Sequence, residues 1–236
     1  MYNPIKSLGQ NFLQDNNILK KIIQAIDISH NDFILEIGPG TGALTDFIIE
    51  LKPKKFVGVD IDKRSYELLS DKYNSVLNED FIIINNDILK FDLYEAFDLK
   101  NDDKIKVCGN IPYNITAGII FNLIENRNVV EKAVIMVHKE VAQRLTAREN
   151  SKTYGILSVI LSVCSNSKIL FDVSPNCFYP KPNVKSSVIE IQFEHSNIDN
   201  NLDEFIVFVK MIFNNRRKMI KKAVEKYLKN YHLNID

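Results

Sequence analysis

The strongest constraint in this sequence is an alternation of short, apolar, β-rich runs with amphipathic helical patterns. Phe33 to Gly38, Phe56 to Ile61, Phe81 to Asn85, Ile105 to Gly109 and Ala133 to His138 are apolar on both alternating faces, as strands covered by helices on both sides must be. Between them the patterns turn helical, over Gly42 to Leu51, Lys63 to Lys72, Thr116 to Asn126 and Lys139 to Ala147. That rhythm predicts an α/β fold with an open, mostly parallel sheet. Lys168 to Val173 and Ser187 to Phe193 are strand-like runs joined by a Pro-rich connector without helical period, so a closing antiparallel hairpin is expected.

The chain has 236 residues, enough for one such domain and a small appendage. After His195 a polar run, Ser196 to Asn201, reads as a linker, and Leu202 to Tyr231 repeats apolar residues with a 3.6-residue period. The expected division is therefore 1–195 for the α/β domain and 196–236 for a helical, basic segment. The N-terminus lacks the apolar core of a secretory signal, and no run approaches a membrane span; Ile156 to Cys164 comes nearest and is interrupted by serines. Cys108, Cys164 and Cys177 are odd in number and lack metal-ligand spacing, so no metal site is expected and the cytoplasm is the expected compartment. Formal net charge is zero, yet Lys210 to Lys229 holds eight cations against the single acid Glu225, a local +7. Charge of that kind suits phosphate, although a solvated helix face has the same composition.

Chemistry concentrates at the strand ends. The first run leads through Glu36-Ile37-Gly38-Pro39-Gly40-Thr41-Gly42 into a helix, where glycines permit a tight turn and a ligand close to the main chain. Gly38, Gly40 and Ala43 also fit the dinucleotide fingerprint, so the glycines alone leave an NAD enzyme open. Asp60, beside Ile61, closes the next run where a carboxylate can accept ribose hydroxyls, and Asp87, beside Ile88, follows the third where it can accept an adenine amino group; each could also be a helix N-cap. Glu36 would repel a pyrophosphate and suits an ammonium and a sulfonium, which favours S-adenosylmethionine. No Walker-type Lys-Ser/Thr follows the glycines.

The fourth run continues into Asn110-Ile111-Pro112-Tyr113. This motif closely resembles the hallmark of adenine-N6 methyltransferases. An aryl amine donates its lone pair into the ring, so methylation calls for acceptors on both N–H bonds; the Asn110 side-chain oxygen and the Ile111 carbonyl are the expected pair. Pro112 fixes the backbone and Tyr113 is expected to stack on the flipped base. Further segments are similar to the KsgA-type small-subunit rRNA adenine dimethyltransferases: Leu8 to Leu13, His138 to Leu145, Tyr154 to Val159, Phe178 to Ser186 and Phe213 to Ile220. The resemblance implies a Rossmann-like methyltransferase with a seven-stranded sheet and a small C-terminal helical domain. It implies that Asn11 and Leu13 touch the methionine end of the cofactor and that Phe178 packs on the target base opposite the tyrosine. Arg216, Arg217, Lys218, Lys221 and Lys222 become the expected RNA contacts.

By resemblance the substrate is a pair of adjacent adenines in the 3′-terminal hairpin loop of small-subunit rRNA, each methylated twice by a monomeric enzyme acting on the immature subunit. The alternatives are the related large-subunit rRNA methyltransferases of the Erm type, which share the Asn-Ile-Pro-Tyr motif, and a catalytically silent assembly factor. The family pattern continues several dozen residues past the Arg-Arg-Lys helix, whereas this sequence ends at Asp236, so weaker RNA docking than in a longer relative is expected. His138 stands where the family often has Gln and is read as a strand-end histidine.

Overall fold

Each strand run is apolar throughout because each strand feeds two cores. The computed structural model describes residues 4–5, 9–100, 102–112, 114–194, 201–214, 221 and 224–225. The chain begins with β1 (Phe12–Leu13) and α1 (Asn16–Ile26), then alternates through β2 (Phe33–Ile37), α2 (Thr45–Leu51), β3 (Lys55–Asp60), α3 (Lys63–Lys72), β4 (Phe81–Asn85), α4 (Leu93–Phe97), β5 (Ile105–Asn110), α5 (Thr116–Glu125) and β6 (Val130–His138). It continues with α6 (Lys139–Leu145), α7 (Ile156–Cys164), β7 (Ser165–Val173), β8 (Phe178–Tyr179), β9 (Ser186–Phe193) and α8 (Leu202–Asn214). Seven strands form one sheet in the order β4-β3-β2-β5-β6-β9-β7. The pairs from β4 to β6 are parallel, and β9 runs antiparallel to both its neighbours, as the hairpin reading expects.

Side chains sort between the two faces with the period of two that a strand imposes. Phe33, Leu35 and Ile37 of β2, Val57 and Val59 of β3, Ile105 and Val107 of β5 and Ala133, Ile135 and Val137 of β6 point to a core shared with α4, α5, α7 and α8. The intervening Ile34, Phe56, Cys108, Val134 and Met136 point to a second core against α1, α2 and α3. Glu36 and Asn110 share the parity of Ile34 and Cys108, so they project toward the α1 side. The strand order reverses between β2 and β5, the switch point at which open α/β sheets form ligand crevices.

Three elements escape the sequence reading. Asp15 caps α1 by accepting from the amides of Asn17 (2.9 Å) and Ile18 (3.1 Å), and Leu19, Ile22 and Ile26 bury one stripe of that helix. The apolar run Ile156 to Cys164 is helix α7, whose serines find carbonyl acceptors: Ser158 donates to Arg144 of α6 at 2.6 Å, and Ser162 to Val159 in its own helix at 2.8 Å. Finally, β1 and β8 pair as a two-stranded antiparallel ribbon, Phe12 opposite Tyr179 and Leu13 opposite Phe178. Among the described residues no helix is long and apolar enough to cross a membrane. Of the expected helical tail, α8 is described to Asn214, and its Leu202, Ile206 and Val209 join the core that holds α7. The 195/196 boundary lies outside the described residues.

Candidate cofactor and substrate cleft

The cleft opens where β2 and β5 end. From Ile37 the chain turns through Gly38 (φ 66°) and Gly40 (φ 60°), left-handed conformations that glycine adopts freely. The Gly38 amide continues the ladder by donating to the Val59 carbonyl at 2.9 Å. At Gly40 a Cβ would meet the Phe12 ring at 2.8 Å, so the loop and the N-terminal segment close on each other over the strand ends. That segment is itself anchored: Gln10 Nε2 donates to Asp62 Oδ2 at 2.7 Å, and the Ile5 amide donates to Gln10 Oε1 at 2.8 Å.

Asp60 holds this frame together. One carboxylate oxygen accepts from the Gly40 amide at 3.0 Å and the other from the Asp62 amide at 2.9 Å. Burial raises its pKa above the ordinary carboxylate value, against the amide bonds. The Ser65 side chain adds a third hydrogen bond, and Asp60 and Ile61 both line the cleft. Glu36 is 2% exposed and accepts from the Thr45 hydroxyl at 2.6 Å. Its pKa is pushed up to about 8, first by burial and then by the negative charge of Asp60 and Asp46, while the Thr45 bond opposes the rise. A carboxyl that stays neutral in a cleft near pH 7 is a ready partner for an incoming cation, which restores its charge.

The cleft has two halves that meet at Phe12, Gly38 and Asn110. The first, of about 460 Å³, is walled by Leu13, Leu19, Ile22, Leu44 and Met136 with Glu36 as its acid. The second, of about 520 Å³, runs from Gln10 and Asn11 past Asp60 and Ile61 to Ile111 and Pro112. Asn110 therefore occupies the junction. Its Nδ2 donates to the Asn11 carbonyl at 2.7 Å, and since a carbonyl requires a donor, this bond decides the amide orientation and leaves Oδ1 as the free acceptor. The Ile111 amide donates to the Met136 carbonyl at 2.9 Å, and the Pro112 carbonyl accepts from the Thr116 hydroxyl at 3.0 Å. No donor among the described residues takes the Ile111 carbonyl or Asn110 Oδ1.

Of the residues expected from sequence, Leu13, Glu36, Gly38, Gly40, Asp60, Ile61, Asn11, Asn110, Ile111 and Pro112 come together here. Asp87 and Ile88 do not line either half. Asp87 Oδ1 accepts from the Leu89 amide at 3.0 Å, the N-cap geometry, and Ile88 is buried. Phe178 is 5% exposed: pairing of β8 with β1 seats it beside Leu13 in the α1-side core rather than in the cleft. Tyr113, Arg216, Arg217, Lys218 and Lys222 lie outside the described residues. Lys221 is solvent-exposed and pairs with Glu225 at 3.9 Å. Sequence reasoning missed Phe12, Gln10, Leu19, Ile22 and Met136; the Asp15 cap followed by apolar residues at helical spacing was the signal that marked α1.

Among the described residues no group of His, Cys, Asp and Glu is arranged to hold a metal ion. The residues present fit a cationic nucleoside: a glycine turn open to the main chain, the buried Glu36 carboxyl in one half and the Asp60 carboxylate lining the other.

A family model described as Ribosomal RNA adenine dimethylase matches residues 2–235. The "Ribosomal RNA small subunit methyltransferase A" of Mycoplasma mobile is 40% identical over 224 residues, covering 95% of this chain and 84% of that protein. The protein of the same name from Sulfurihydrogenibium sp. is 37% identical over 227 residues, covering 96% and 86%. Among solved structures, a dimethyladenosine transferase from Plasmodium falciparum superposes with a TM-score of 0.79 at 26% identity, covering 95% of this chain and 83% of that one.

Proposed function

Because this chain belongs to the ribosomal RNA adenine dimethylase family, we propose that its cleft positions the N6 amino group of adenines in small-subunit rRNA for S-adenosylmethionine-dependent dimethylation. The single observation that carries the site assignment is the Asn110 amide, tied by its nitrogen to the Asn11 carbonyl at 2.7 Å so that its oxygen faces the cleft junction.

S-adenosylmethionine supplies a methyl group on a sulfonium that leaves as a neutral thioether. The chain's own work is to present the amine. Asn110 Oδ1 and the Ile111 carbonyl accept the two N–H bonds, which draws the nitrogen lone pair out of the ring and toward the methyl carbon. Pro112 holds φ near its fixed value so that the Ile111 carbonyl keeps its direction. As the new N–C bond forms, one N–H proton is lost; with no strong base needed, it passes to solvent. After the first transfer the amine retains one N–H, which one of the two acceptors holds while the second methyl group is transferred. Glu36 meets the cofactor's ammonium and Asp60 its ribose hydroxyls, while the Gly38–Gly40 turn, free of side chains at its two glycines, lets the ligand lie close to the main chain. Tyr113, next to Pro112, stacks on the flipped base, and Arg216, Arg217, Lys218, Lys221 and Lys222 contact RNA phosphates. The finer reading is that the targets are two adjacent adenines of the 3′-terminal hairpin loop, met on the immature subunit by a monomer in the cytoplasm.

Labelled S-adenosylmethionine, incubated with the protein and undermethylated small subunits, tests this reading. Dimethylated adenines mapped to the 3′-terminal hairpin are the expected result. Label in large-subunit RNA alone would move the assignment to the Erm type, and no label in any RNA would leave an assembly factor.

A further inference from the structure

The catalytic cleft does not end at Asn11. Gly9, Gln10 and Asn11 form its rim and also the wall of a second, wider trough of about 1110 Å³, completed by Pro4, His138 and the segment Pro180–Val184. The register fixes how near the two lie. Asn110 sits beside Met136 in the β5–β6 pair, and His138 is two residues further along β6 on the same face, about 7 Å toward the open edge at the usual strand rise. The far wall is held equally firmly, since β6 pairs His138 with Ser186 of β9 and the Lys139 amide donates to the Lys185 carbonyl at 3.0 Å.

The trough's chemistry differs from the cleft's. No carboxylate lines it, Lys181 is an exposed cation, and Asn183 offers an amide. Lys185 is exposed but does not line the trough, and Lys139 is committed to Asp172 at 2.5 Å. Val184 is 45% exposed and, with Pro180 and the imidazole of His138, gives flat or apolar surface without charge. A single cation opposite flat surfaces, with no acid between, matches one nucleotide: a phosphate and a base.

We propose that this trough is a second nucleotide subsite, holding the RNA residue next to the adenine being methylated, with its phosphate at Lys181 and its base against His138. The inference rests on the functional reading above, because the trough matters only if an RNA strand leaves the cleft past Asn11. Charge complementarity and continuity with the cleft select a single-stranded RNA segment as the occupant. His138 and Lys181 are then positioning residues, acting on the strand and not on the reacting atoms.

The test measures binding of a fluorescein-labelled, adenine-containing single-stranded oligoribonucleotide to the full chain with S-adenosylhomocysteine present, and methyl transfer to the same RNA in parallel. Lys181→Ala should weaken binding roughly three- to tenfold at low salt and reduce the slope of log affinity against log salt by about 0.7, the share of one single-strand phosphate contact. Lys181→Arg should restore most of both, and the affinity for S-adenosylhomocysteine should stay unchanged. An abasic residue beside the target adenine should weaken the wild type and add nothing to His138→Ala. Wild-type affinity and slope in Lys181→Ala would overturn the subsite. The parallel arm separates the two claims: transfer without Lys181 dependence sinks the subsite alone, and no transfer even to undermethylated small subunits sinks the functional reading and the subsite with it.

Discussion

Glu36→Gln should make the unliganded protein more stable, and by an amount that depends on pH. Folding carries this carboxyl from water to a site where it is 2% exposed, which moves its pKa from 4.5 to about 8. Between those values the folded state keeps a proton that the unfolded state has released, so unfolding gives off a proton and stability falls as pH rises. At pH 7 the unfolded chain gains about 1.4 kcal/mol for each pH unit above 4.5, which makes the penalty about 3 kcal/mol. Glutamine is neutral in both states and still offers an oxygen to the Thr45 hydroxyl, so most of that penalty should disappear. Urea unfolding of both proteins at pH 5, 6, 7, 8 and 9 isolates the effect, since other titrating groups cancel in the difference. The gap should be small at pH 5, widen to pH 8 and then level off. A gap that is constant with pH, or a variant less stable at pH 8, would refute the buried-carboxyl argument.

The same carboxyl makes cofactor affinity pH-dependent. An ammonium prefers the ionised form, so isothermal titration should find S-adenosylmethionine binding weakening as pH falls below about 8, with proton release on binding, and Glu36→Gln should flatten the profile; an unchanged profile in the variant would place the ammonium elsewhere. Gly109→Ala tests the β5 end of the cleft. A Cβ at Gly109 would run into the backbone carbonyl of Ile37, which cannot retreat without moving β2. A loss of more than about 3 kcal/mol, or failure to fold, is expected in thermal or urea unfolding, and a change under about 1 kcal/mol would show that the strand ends are pliable.

Much of this was legible because the determinants are local. Strands β2 to β6 declare themselves by apolar runs, since a sheet covered on both faces needs apolar residues at consecutive positions. The Asn110-Ile111-Pro112 geometry follows from its place at a strand end. What escaped depends on contacts distant in sequence. The β1–β8 ribbon is two residues per strand and exists only because Phe12 and Tyr179 meet across the fold. Phe178 is called to the core by that pairing, which its loop motif does not announce. Asp87 is an N-cap as well as a candidate ligand, and composition cannot separate the two roles. The apolar wall supplied by Leu19 and Ile22 belongs to α1, whose cap at Asp15 was readable but whose packing against the β5 and β6 ends was not.

In the proposed reaction Asn110 acts on the amine and not on the cofactor. Thermal shift with S-adenosylhomocysteine, set beside the single-turnover rate of methyl transfer, measures both in Asn110→Ala. Cofactor stabilisation within a few fold of wild type together with a rate reduced by roughly a hundredfold or more is the predicted pair. Transfer at the wild-type rate would contradict it.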